Sequence, residues 1–146
     1  MKRKTILILG AGPFQLSGIQ KAKEMGCEVI TLDNIPDNIG HKYSDRSIHC
    51  STTDKEGVLK ASIENNIDGI TTFSSDVAIP TVGYVCDNLN LPGVSEYIAL
   101  TMSNKHNFRE VLQSSGLKCP KFISGNDYLV LQGLVKDLKF PVIVKP

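Results

Sequence analysis

Ile6-Leu7-Ile8-Leu9 is a short, unbroken aliphatic run, cut off by Gly10 and followed by a stretch with helical spacing. A run of four apolar residues bounded by a glycine is too short for a buried helix. It suits a strand covered on both faces, as in a parallel sheet. The same punctuation recurs down the chain. Leu16, Ile19 and Ala22 share one face of a helix expected over Gln15–Met25, with Gly26 placed to stop it. Glu28 to Leu32 is the next strand, ending at Asp33. Ser47 to Cys50 forms a short edge strand. Thr53 and Glu56 have capping-box spacing for a helix running to Asn66, and Gly69 to Phe73 is the fourth strand. Asp76 is placed to cap a further helix, in which Val82, Val85, Cys86 and Leu89 recur at i, i+3, i+4 and i+7. Strand–helix alternation of this kind is the signature of an open α/β sheet of four or five parallel strands. Right-handed crossovers put its helices on both faces.

Beyond a short helix from Ser95 to Leu100 the pattern changes, and a boundary near Met102 divides the chain into residues 1–102 and 103–146. The second part reads as a helix over Lys105–Ser114 stopped by Gly116, a strand at Lys121-Phe122-Ile123, and an amphipathic helix carrying Leu131, Leu134, Val135 and Leu138. A final strand, Pro141 to Lys145, delivers a lysine at its end. That remainder is too short for a complete second domain, so the chain reads as the front of a longer nucleotide-using enzyme.

Composition narrows the function. In 146 residues, 41% are hydrophobic and 21% charged, with a formal net charge of +1. This supplies a real core and gives no electrostatic reason for a nucleic-acid or membrane partner. The four cysteines, Cys27, Cys50, Cys86 and Cys119, form no C-x-x-C pair and read as free thiols of a reducing, cytoplasmic setting. Met1-Lys2-Arg3-Lys4 before the first apolar run is a basic, solvated leader, since Gly10 and Pro13 break that run too early for a signal peptide. His41, His49 and His106 lack metal-ligand spacing, and His106 reads as a surface residue. Ser17, Ser74 and Ser75 lack the context of a hydrolase nucleophile.

Gly10-Ala11-Gly12-Pro13-Phe14-Gln15 joins the first strand to the first helix. Glycines there let backbone amides approach an anion at the helix start, and Asp33 closes the second strand where a ribose-binding acid would sit. The dinucleotide fingerprint G-x-G-x-x-G is nevertheless broken, because Gln15 stands at its third glycine. The turn therefore reads either as a substrate- or phosphate-facing loop or as an ordinary tight turn, and Asp33 either as a substrate ligand or as a cap for the following loop. Ser75 and Asp76 leave the fourth strand at its carboxyl end, where ligands gather in open α/β sheets. They are candidates for the second substrate, with Asp76 as a plain helix cap the alternative.

One set of residues carries a family likeness: Asp45, Asp54, Asn66-Ile67-Asp68-Gly69-Ile70, Leu89-Asn90-Leu91-Pro92-Gly93, Asn104-Lys105, Phe108-Arg109, Gly116-Leu117-Lys118-Cys119-Pro120 and Phe140-Pro141-Val142-Ile143-Val144-Lys145-Pro146. In order and spacing the set resembles the ATP-grasp superfamily, in the branch that includes biotin carboxylase and the carbamoyl phosphate synthase large subunit. The likeness implies a Rossmann-like pre-ATP-grasp domain followed by the beginning of an ATP-grasp domain. It implies an ATP-dependent ligase that activates a carboxylate as an acyl phosphate for attack by an amine. Its partners would be ATP, magnesium and a small carboxylate substrate, and the likeness leaves room for a homodimer. Lys105 and Lys145 match the lysines that contact ATP phosphates, and the turn Gly10, Gly12, Pro13, Phe14, Gln15 with Ser75 and Asp76 would face substrate. Arg109 shares a face with Lys105 and supports it. The family's glycine-rich flap and magnesium carboxylates would follow position 146. These 146 residues are therefore expected to hold no tightly bound cofactor and to be inactive alone. The alternatives are the nucleotide domain of an NAD(P)-dependent oxidoreductase, or a non-catalytic interaction module.

Overall fold

The computed structural model describes residues 3–145, so the start of the basic leader, Met1-Lys2, and the terminal Pro146 lie outside the described residues. The chain divides into two compact units, Met1–Ser103 and Asn104–Pro146.

The first unit is the expected open sheet. Four parallel strands, β1 (Thr5–Leu9), β2 (Glu28–Asp33), β3 (Arg46–His49) and β4 (Gly69–Thr72), lie in the order β3-β2-β1-β4. Helix α1 (Leu16–Glu24) links β1 to β2, and α2 (Lys55–Glu64) carries the chain back from β3 across the sheet to β4. Because these two crossovers travel in opposite directions, right-handed connections require their helices on opposite faces. The core divides accordingly. Ile8 and Val29 pack with Ile19 and Ala22 of α1. Leu7, Leu9, Ile30 and Leu32 point the other way, into Val58 and Ala61 of α2 and Val82, Val85 and Cys86 of α3 (Ile79–Leu89). Alternate residues of one aliphatic run thus serve two hydrophobic layers, which is why the run has no polar member.

Helix ends follow the chain's punctuation. Gly26 at φ 81° and Asn90 at φ 51° turn the chain out of α1 and α3 through the left-handed region. Pro80 sits in the first turn of α3, where its missing N–H costs nothing. Two cap assignments differ from expectation. Asp54, rather than Thr53, caps α2 by accepting from the Gly57 amide at 3.1 Å, while the Thr53 hydroxyl is engaged by Ser51. Asp76 caps nothing: a single turn, Asp76–Ala78, precedes α3 without a side-chain cap. Helix α4 (Glu96–Ser103) lies so close to α3 that a Cβ on Gly83 would sit 2.8 Å from the Glu96 Cα.

The leader is less solvated than its composition implies. Arg3 donates to the Gly26 and Cys27 carbonyls and pairs with Asp45, and Lys4 pairs with Asp68 at 2.6 Å. Asp45 also accepts from Lys23 and from the Val29 amide at the start of β2. The Lys23 ammonium and the Val29 amide, with Arg3 nearby, lower the pKa of its carboxyl from the usual carboxylate value.

The second unit holds α5 (Lys105–Ser114) and α6 (Tyr128–Leu134). Asn104 caps α5 through the His106 and Asn107 amides, and Asp127 caps α6 through the Leu129 and Val130 amides. The expected continuous helix through Leu138 ends at Leu134 and tightens into a turn over Val135–Asp137. Neither Lys121-Phe122-Ile123 nor Pro141 to Lys145 forms a strand. An extended segment becomes a strand only when a neighbour takes its N–H and C=O groups. No neighbour does so among the described residues, and Ile143 and Val144 stand 85% and 89% exposed.

Candidate functional site at the strand switch point

The chain leaves β1 toward β2 on one side and returns to β4 on the other, so the carboxyl ends of β1 and β4 flank the point where strand order reverses. In open α/β sheets the ligand crevice opens there. Both segments singled out from the sequence, Gly10 to Gln15 and Ser75-Asp76, border it.

The glycine turn is held from the β2 side. Gly10 leaves β1 at φ 90°, a conformation that an L side chain rarely adopts, and donates to the Leu32 carbonyl at 2.8 Å. The amide of buried Ala11 donates to Asp33 Oδ2 at 2.7 Å, and the Ala11 carbonyl accepts from the Gly40 amide at 2.7 Å. A Cβ on Gly40 would lie 2.6 Å from that carbonyl oxygen, so this approach needs glycine. Asp33 is buried and also accepts from the Ile35 amide and from Asn38 Nδ2, each at 2.9 Å. Of the two roles open to it in the sequence, the structure shows the loop cap. Its oxygens are spent inside the protein, where a ribose-binding acid would present them outward.

On the β4 side the link is Gln15. Its side chain is buried under the turn, 3.2 Å from where Cβ atoms on Gly10 and Gly12 would stand, and its Nε2 donates to the Phe73 carbonyl at 2.5 Å. Ser74 follows at φ 53°. Pro13 opens a single turn, Pro13–Gln15, which leads into α1, and Phe14 projects with 78% exposure. Among the described residues the amides of Gly12 and Phe14 have no protein acceptor, and the exposed Asp76 carboxylate has no hydrogen-bond or ion-pair partner. The crevice therefore offers two backbone donors and an aromatic ring on one lip, and a free carboxylate beside the Ser74 and Ser75 hydroxyls on the other. This set suits a small polar ligand. The broken fingerprint has a physical counterpart: glutamine fills the space under the turn that a third glycine would leave open.

The two lysines lie in the second unit. Lys105 is the first residue of α5 and Lys145 is exposed at the end of the chain's last described segment; among the described residues neither ammonium has a partner. Among the described residues no hydrogen bond or ion pair joins them to each other. The final strand expected to deliver Lys145 is not formed, because the segment carrying it is unpaired. Arg109 donates to Cys119 Sγ at 3.5 Å, which occupies part of its guanidinium. His106, expected as a plain surface residue, is exposed yet meets Ser124 Oγ, Glu110 at 3.2 Å and, edge-on, the Phe122 ring at 6.0 Å. Two shallow surface depressions lie away from the crevice, one over Glu56, Leu59, Lys60 and Ile63, the other beside Lys23 and Tyr43.

Sequence reasoning missed the bridge from Gln15 to Phe73. Its only sequence signal was the misfit of a glutamine in a glycine fingerprint.

No family model matches the chain. Among curated proteins it is 24% identical over 159 residues to the carbamoyl phosphate synthase large chain of Thermotoga petrophila, an alignment covering 99% of this chain and 14% of that protein. It is 26% identical over 141 residues to the N5-carboxyaminoimidazole ribonucleotide synthase of Staphylococcus aureus, covering 97% of this chain and 37% of that protein. The chain thus spans about a seventh and just over a third of these relatives. Among solved structures, the phosphoribosylglycinamide synthetase of Anaerococcus prevotii superposes with a TM-score of 0.79 at 25% identity, over 96% of this chain and 36% of that one. The biotin carboxylase domain dimer of the Hydrogenobacter thermophilus 2-oxoglutarate carboxylase, solved with MgADP, ADP and bicarbonate, superposes with a TM-score of 0.74 at 16% identity, over 97% of this chain and 34% of that one. Along nearly its whole length, in sequence and in fold, the chain resembles the N-terminal part of ATP-grasp carboxylate–amine ligases.

Proposed function

We propose that this chain is the substrate-side N-terminal part of an ATP-dependent carboxylate–amine ligase of ATP-grasp type. In this reading Met1–Ser103 is the pre-ATP-grasp domain and Asn104–Pro146 the N-terminal portion of the ATP-grasp domain. The observation that carries it is the alignment of 97% and 99% of the chain with two ligases of that kind, and a strand order that reverses beside β1 and β4 supports it.

The parent reaction transfers the γ-phosphoryl group of ATP to a carboxylate oxygen. An amine then attacks the acyl carbon and phosphate leaves. Gly10, Gly12, Pro13, Phe14, Gln15, Ser75 and Asp76 border the substrate, with Gln15 acting from below. Lys105 and Lys145 serve as point charges for the ATP phosphates. Charge distribution supports that role: residues 104–146 hold seven Lys and Arg against three Asp and Glu. Moreover Asp127 is consumed as a helix cap, and Glu110 faces His106. Magnesium would accompany ATP, but no group of three or more His, Cys, Asp or Glu among the described residues could hold it, so no metal ligand is assigned here. No helix among them is long and apolar enough to cross a membrane. A cytoplasmic enzyme, with room for a homodimer, completes the reading. The oxidoreductase alternative loses support because Gln15 and Asp33 are both turned inward.

Titration of the isotope-labelled chain with Mg·ATP and, separately, NADPH tests the assignment. The expected result is weak binding of Mg·ATP, with Kd of about 1 mM or above, shifting the amides around Lys105 and Lys145 and abolished by Lys105→Ala. Saturable NADPH binding that protects Gly10 to Gln15 would overturn it.

A further inference from the structure

Phe73 is gripped at two points. Its carbonyl accepts from Gln15 Nε2, and its ring lies on α1 where a Cβ on Gly18 would come within 2.3 Å of it. The next residue, Ser74, holds φ 53°, a conformation costly for a residue with a Cβ and kept only where the surroundings impose it. The same Gln15 side chain supports Gly10 and Gly12 from beneath. One buried amide group thus touches the segments on both lips of the crevice, which are 58 residues apart in the chain.

We propose that Gln15 is the positioning residue of this crevice, coupling the glycine turn after β1 to the loop after β4 so that both lips keep or lose their geometry together. The side chain meets three demands at once. It is long enough to pass under the turn, it fills the space left by two glycines, and it ends in an N–H donor for the Phe73 carbonyl. Asparagine falls a methylene short, methionine fills the space but donates nothing, and ionised glutamate turns an oxygen toward a carbonyl oxygen. The Phe73 carbonyl sits in a part-buried bond, and water can take the place of the lost donor without holding the carbonyl in position, so Phe73 and Ser74 relax. The turn above then loses its support.

The proposal rests on the ligase reading only for the ligand's identity. The coupling is measured without ligand, so failure of one is distinguishable from failure of the other. Amide hydrogen exchange is followed at Ala11, Gln15 and Ala78, with Leu7 and Ile30 as core references, in the wild type, Gln15→Met, Phe73→Ala and the double variant. Phe73→Ala, made on one lip, is expected to speed exchange of the Ala11 and Gln15 amides on the other by about fivefold to tenfold, with Leu7 and Ile30 unchanged. In the Gln15→Met background the same substitution is expected to add less than about twofold. Gln15→Glu should behave as Gln15→Met does. Unchanged exchange at Ala11 and Gln15 in Phe73→Ala, an acceleration that persists in the double variant, or an equal rise at Leu7 and Ile30 would each overturn the coupling.

Discussion

Removing the Asp33 carboxylate measures how firmly the glycine turn is held. In Asp33→Ala three donors lose their acceptor. The Ala11 amide belongs to a residue with no exposed surface, and stranding it costs about 1–3 kcal/mol. Ile35 is 52% exposed and Asn38 half-buried, so water replaces the carboxylate for them and each loses only about 0.5 kcal/mol. The sum is about 2–4 kcal/mol. At roughly 3 °C per kcal/mol for a chain of this size, Tm falls by about 6–12 °C. Thermal and urea unfolding followed by circular dichroism read both quantities. Asp37→Ala, at an exposed carboxylate four residues on, is the control and is expected to shift Tm by less than about 2 °C. Asp33→Asn should fall between, because one oxygen still reaches the Ala11 amide while the new NH₂ group faces a donor. If Asp33→Ala melts with Asp37→Ala, the carboxylate does not hold the turn, and an outward, ligand-facing role for Asp33 returns.

Three further expectations follow from particular contacts. The pKa of Asp45 is lowered in the folded state, so its contribution is present above the unfolded carboxyl value and is lost as pH falls through the folded one; Asp45→Asn should destabilise at pH 7 and converge with the wild type at the bottom of an acid titration, and a constant gap down to about pH 2 would contradict this. Gly83→Ala drives a Cβ into the Glu96 backbone of α4 and is expected to cost about 1–3 kcal/mol in urea unfolding, whereas a neutral result would mean that α4 shifts freely. Helices α5 and α6 bury no residue, so amides beyond Ser103 should exchange faster than those of residues 5–90; equal protection would contradict that ordering.

The elements most legible in the sequence were those whose side chains and punctuation agree. Ile6 to Leu9 has no polar member because both of its faces are covered. Helix α5 runs from Lys105 to Ser114 as its pattern and Gly116 indicate, and Gly26 and Gly116 turn the chain where left-handed backbone is needed. The cap of α2 was legible only to within a residue, because Thr53 and Asp54 are both competent and the bond went to the stronger acceptor, whereas the cap expected from Asp76 is not made. The segments Lys121 to Ile123 and Pro141 to Lys145 misled because their composition fits a strand, whereas pairing depends on a neighbour that composition does not report.

Local chemistry thus settled which stretches are apolar on two faces, where helices stop, and that a glycine turn follows the first strand. Only the tertiary structure decided what Gln15 and Asp33 do. Each is polar and buried, so each must find partners where the fold puts them, at Phe73 for one and at Ala11 for the other. Those partners lie 58 and 22 residues away along the chain, brought close by parallel strands whose order no local pattern encodes.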